Sequence, residues 1–166
     1  MLRTKDLINL DKLLKAKENI EQEIQDLQDQ KEDLKEETMY IGTMHSLEDA
    51  MIVDENAPFF SGKTSNISDK VANFVIKMDI KISSIDHKIQ GLEKIRIEKI
   101  KRIDKIVRKI HAIHDKDIRD ALKIIHLTGE KNITAVSGEI GVVDRSWLYR
   151  KLKKRFGYEY LAYIKS

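Results

Sequence analysis

Arg145, Ser146, Tyr149, Arg150, Lys151, Lys153 and Lys154 stand within ten residues of one another near the end of the sequence. At helical spacing, Ser146, Arg150 and Lys153 share one side, with Tyr149 and Lys154 flanking them. Leu148, Leu152 and Phe156 fall on the other. Short polar and planar groups on such a helix reach base edges, and Arg150 has the fork that contacts guanine bidentately. Lys151, Lys153, Lys154 and Arg155 suit backbone phosphates, whose contribution to affinity falls steeply with salt. The chemistry implied is recognition of double-stranded DNA.

No catalytic constellation accompanies this group. Gly62, Lys63 and Thr64 match the end of a phosphate-binding loop, but the upstream Gly spacing and the preceding strand are missing. His111 and His114 are three apart, with no Cys or carboxylate cluster to complete a tetrahedral metal set. The expectation is a binding protein, not an enzyme, without metal or cofactor.

The surrounding residues predict how the basic helix is held. Asn132 is placed to cap a short helix through Ile140, on which Val136 and Ile140 point inward and Ser137 permits close helix approach. Gly141 suits the turn, where a positive φ is cheap only for Gly. Asp144 caps the helix Arg145–Phe156. This is the pattern of a helix-turn-helix whose second helix enters the major groove. Upstream, residues 115–127 predict another helix, starting near Asp115 or Asp117 with Ile118, Leu122 and Ile125 inward. Gly129 suits its left-handed cap. Trp147 and Tyr158, Tyr160 and Tyr163 are expected to pack at the end of this small domain.

Two resemblances follow from these residues. Gly141, Asp144, Ser146, Trp147, Leu148, Arg150, Leu152, Lys153, Lys154, Phe156, Gly157 and Tyr163 resemble, in spacing, the second helix-turn-helix of AraC-type activators. That match covers about 30 residues. The family's first helix-turn-helix has no counterpart here, and Tyr160 replaces its usual Pro. The wider layout is a helix, a variable loop, Ser68, Asp69, Val71 and Ala72 opening a long helix, then Arg119 and Leu122 before a terminal helix-turn-helix. It is similar to phage regulators of the RinA/ArpU type, which end in a domain like region four of bacterial sigma factors. That resemblance implies a regulator of phage or mobile-element genes acting with RNA polymerase.

The first two-thirds of the chain predicts a coiled coil. Residues 4–38 read as one helix with Thr4 as N-cap. Leu10, Leu13, Ile20, Ile24, Leu27 and Leu34 form its seam, with Lys17 and Lys31 in two seam positions. Residues 39–67, with Gly42, Pro58 and Gly62, read as a break: a loop with a short helix near Leu47–Met51, or two short strands. Residues 68–114 predict a second, longer helix with an Ile-rich seam from Val71 to Ile113. The fold class expected is all-α, a helical hairpin over 1–114 followed by a helix-turn-helix domain over 115–166.

Charge is unevenly distributed over the 166 residues. Residues 1–66 hold 8 Lys+Arg and 15 Asp+Glu, residues 67–127 hold 15 and 9, and residues 128–166 hold 8 and 4. An acidic first helix against a basic second helix predicts complementary flanks in the hairpin. The unmatched length of the second helix predicts a free apolar seam, and hence a homo-oligomer that sets the spacing of two recognition helices. The chain lacks Cys and any apolar run of the ~18 residues that span a membrane. No apolar stretch follows Met1, so a cytoplasmic protein with no membrane partner is expected. The function expected is sequence-specific transcriptional regulation. The alternatives are the DNA-recognition subunit of a phage packaging machine and a structural coiled-coil interaction protein.

Overall fold

The computed structural model describes residues 1–51, 64–142 and 144–165, with the backbone alone for 42–51 and 64–70. Its fold is all-α: α1 (Thr4–Met51), α2 (Thr64–His111), α3 (Lys116–Lys123), α4 (Ile133–Glu139) and α5 (Arg145–Lys165). Two long antiparallel helices, α1 and α2, precede the three short helices of the helix-turn-helix region. Among the described residues there is no strand, and no helix is long and apolar enough to cross a membrane.

The boundaries of the long helices differ from the sequence expectation. α1 continues through Gly42 to Met51, and α2 begins at Thr64, so most of the expected break is helical. A single Gly costs only ~1 kcal/mol in a helix interior, too little to stop a 48-residue helix. The part of the expected loop over 52–63, with Pro58 and Gly62, lies outside the described residues. Both helices are 48 residues long, so the second does not outrun the first.

Contacts divide the chain into two compact units, Met1–Asn19 with Arg96–Ser166, and Ile20–Ile95. The division drawn from sequence at residue 114 therefore runs through the middle of the first unit. In the second unit, Ile24, Met78 and Ile85 are buried, and Lys31 fills its seam position by pairing with Asp86 at 2.5 Å. Ile95, expected in the seam, is exposed.

The first unit has one continuous core. Leu2, Leu7, Leu10 and Leu13 pack with Ile103, Ile106 and Ile110 of α2, and with Leu122, Val136, Leu148, Leu152, Tyr160 and Leu161. Leu7, Leu10, Ile110, Leu122, Leu148 and Leu152 are wholly buried. The start of α1 is thus part of the core on which the short helices rest. Lys109 pairs with Asp6 at 3.0 Å along its edge. Thr4, expected as an N-cap, is instead the first helical residue. Arg3 takes the position before it, donating its N–H to the Asp6 carboxylate.

Candidate nucleic-acid interface

α3 is capped by Asp115, which accepts the Ile118 N–H at 3.2 Å, and buries Ile118, Ala121 and Leu122. It runs into a π-helical turn, Ile124–Thr128, that ends at Gly129 with φ 80°. The turn places His126 inside. Its Nδ1 lies 2.5 Å from the Asp11 carboxylate and its Nε2 lies 2.9 Å from the Tyr160 hydroxyl. Tyr163 donates its hydroxyl to the other oxygen of Asp11 at 2.6 Å. Burial pushes the Asp11 carboxyl up, but the hydrogen bonds from His126 and Tyr163 outweigh this and hold it below the ordinary value. Burial, then the bond to Asp11, pushes the Tyr163 hydroxyl up to about 12. The network ties α1, the π-helical turn and the end of α5 together.

α4 and α5 form the helix-turn-helix. Asn132 accepts the Thr134 N–H at 2.9 Å and Asp144 accepts the Ser146 N–H at 2.8 Å, so both caps stand where the sequence puts them. Gly141 turns with φ 75°, and the Val142 N–H donates to the Ser137 carbonyl at 2.9 Å. Val136 and Ser137 of α4 are buried beside Leu148, Leu152 and Phe156 of α5.

α5 does not stop at Phe156 as expected. It breaks at Gly157 (φ 83°, ψ −179°) and resumes as a second segment to Lys165. This backbone region is essentially restricted to Gly. The break frees carbonyls at the end of the first segment. Thr4 donates its hydroxyl to the Phe156 carbonyl at 2.8 Å, docking α1 at that point. The returning segment buries Tyr160, Leu161 and Ile164, whereas Tyr158, expected to pack, is exposed with Lys153 Nζ 3.9 Å from its ring centroid.

The buried face of α5 leaves Arg145, Ser146, Arg150, Lys154 and Arg155 exposed. Arg145, Ser146, Tyr149 and Arg150 line an open cleft of about 770 Å³ together with Lys131, Ile133, Thr134 and Lys165. Four cations converge on it, and among the described residues no carboxylate lines it. Arg145 reaches Thr134 at 3.4 Å. Arg150 approaches Asp144 at 3.6 Å, a pair exposed on both sides and so worth no more than ~1 kcal/mol. Exchanging it for another partner costs little.

Lys151 does not join this group. Its ammonium pairs with Asp115 at 2.9 Å and Asp117 at 3.2 Å and stands 3.8 Å from the Trp147 ring centroid. Burial lowers its pKa, but the two carboxylates raise it more. It fastens α5 to α3, which corrects its expected role at a phosphate. Lys153 is half-buried over Tyr158. Lys131, Thr134 and Lys165 are members of the cleft that the sequence reading missed. Lys131 and Thr134 flank the Asn132 cap and were within reach of that reading. Lys165 was not, because it depends on the segment beyond Gly157. No protein-family model, curated protein or solved structure matches the chain.

Proposed function

We propose that the chain is a sequence-specific DNA-binding protein, acting in transcriptional regulation and using α5 as its recognition helix. The observation that carries this reading is the division of α5. Leu148, Leu152 and Phe156 are buried, while Arg145, Ser146 and Arg150 are exposed beside a cleft lined, among the described residues, by four cations and no carboxylate. Arg145, Ser146, Tyr149 and Arg150 read base edges. Lys131, Lys154, Arg155 and Lys165 meet phosphates and fix the register. The likeness to phage regulators of the RinA/ArpU type extends the reading to mobile-element genes and to action beside RNA polymerase in the cytoplasm. The protein binds and does not catalyse.

The test is selection of bound duplexes from a random pool, followed by binding titrations of the full chain at several salt concentrations. Arg150→Ala lowers discrimination between selected and scrambled sites by ~1–3 kcal/mol. Lys154→Ala weakens both sites alike and reduces the salt slope by about 1. An unchanged preference in Arg150→Ala removes that residue from base reading, and a pool with no enriched sequence removes the function.

A further inference from the structure

The charge of the chain divides by compact unit, not by helix. Residues 20–95 hold 8 Lys+Arg and 16 Asp+Glu, whereas residues 1–19 with 96–166 hold 23 and 12. The register of the helices explains why neither excess is cancelled within its own unit. The Lys31–Asp86 pair sets residues 20–37, with 8 acids and 2 Lys, alongside residues 79–95, which carry three of each sign. In the other unit the Asp6–Lys109 pair sets residues 96–111, with 7 Lys+Arg and 2 acids, alongside residues 4–19, with 4 Lys and 3 acids. The acid-against-base flanks expected from the two helices therefore do not form, because the antiparallel register places each charged stretch opposite a nearly neutral one.

The uncancelled groups are on the surface. Lys101, Lys105 and Arg108 are exposed at i, i+4 and i+7, on the side of α2 opposite the buried Ile103, Ile106 and Ile110, and take part in no ion pair among the described residues. Ile97, also exposed, heads the same stripe. In the acidic unit, Glu32, Asp33, Glu36 and Glu37 are exposed and pair with none of the described residues, and Ile76 and Ile80 are exposed one turn apart.

We propose that the chain associates with itself through this mismatch: the acidic face of α1 around Glu32–Glu37 in one copy docks on the Ile97–Arg108 stripe of α2 in a second copy. The two surfaces are complementary in charge, and exposed Ile on both excludes water. Single exposed pairs contribute little, so several must act together. The interaction is screened as the Debye length falls from ~10 Å at 0.1 M salt to ~3 Å at 1 M. The inference does not depend on the DNA reading.

Sedimentation velocity on the full chain tests it. At about 0.1 M salt the wild type forms a species larger than one chain, and association falls about tenfold or more by 1 M. Asp33→Lys with Glu37→Lys, and separately Lys101→Glu with Lys105→Glu, each abolish self-association. Mixing the two double variants restores it, because the unaltered stripe of the first meets the unaltered acidic face of the second, and the acidified stripe meets the face made basic. All four positions are exposed, and far-UV circular dichroism checks that each variant folds; the wild-type salt series needs no variant. A single 19.3 kDa species at low salt, association indifferent to salt, or a mixture that stays dissociated overturns the proposal. If the Lys101/Lys105 variant loses DNA affinity while the wild type remains single, the stripe is a DNA surface and the proposal falls equally.

Discussion

His126 is the residue on which the basic unit turns. It is buried on a π-helical turn, a conformation often found at functional sites. Its two nitrogens meet Asp11 and Tyr160, 115 residues before and 34 residues after it. Asp11 also holds Tyr163, so one carboxylate serves two partners. Asp11→Ala leaves those partners without an acceptor in a partly buried place. It is expected to lower stability by about 1–3 kcal/mol in urea unfolding. The pH dependence has a definite sign. The Asp11 carboxyl is depressed in the folded state, so its contribution is present above the free value of 3.8 and lost as pH falls below it. The Tyr163 hydroxyl is raised to about 12, so its contribution is complete below pH 10 and lost as pH rises through about 12. Tyrosinate absorbance should show a late-titrating Tyr in the wild type that moves earlier in Asp11→Ala; identical titrations contradict the network. None of this was legible in the sequence, because hydrogen bonds across more than 100 positions leave no local pattern.

At the scale of elements, the helix-turn-helix was legible and its continuation was not. Caps announce themselves locally. Asn132, Asp144, Gly129 and Gly141 each do one short-range task that few other residues do, and each stands where the sequence placed it. Gly157 gave an ambiguous signal, since Gly ends helices more often than it bends them. The structure resumes α5 because Tyr160, Leu161 and Ile164 have a core to bury against. Gly157→Ala, at a backbone angle that disfavours any Cβ, is expected to cost about 1–3 kcal/mol, read as a lower midpoint of thermal unfolding. Nothing lies within 4 Å of a Cβ at that position, so a loss reports backbone strain and not a clash. At Gly42 the local signal points to a break, yet the helix continues through it.

For the whole molecule, the helical class was legible in the periodicity, but the compact units divide near residues 19 and 96 and not at 114. Leu10 and Leu13 read as the start of a coiled-coil seam, but with Leu2, Leu7 and Leu14 they make a wide stripe. It is wider than a seam needs, and that excess was the available sign that α1 enters a second core. Burying one Leu contributes ~1.5–3 kcal/mol, so Leu7, Leu10 and Leu13 together approach the 5–15 kcal/mol by which a whole domain is stable. A fragment of residues 115–166 lacks them, along with Ile103, Ile106 and Ile110. It is expected to show no cooperative thermal transition in circular dichroism. A cooperative one would mean that the short helices fold without the hairpin.

The central claim is that this unit reads DNA sequence through the exposed face of α5. The measurement that tests it most directly is the ratio of affinities of the full chain for a selected duplex and for its scrambled counterpart, taken at one salt concentration near physiological. The account predicts a ratio of about a thousand or more, typical of specific recognition, falling when Arg150 is replaced by Ala. A ratio near one contradicts it.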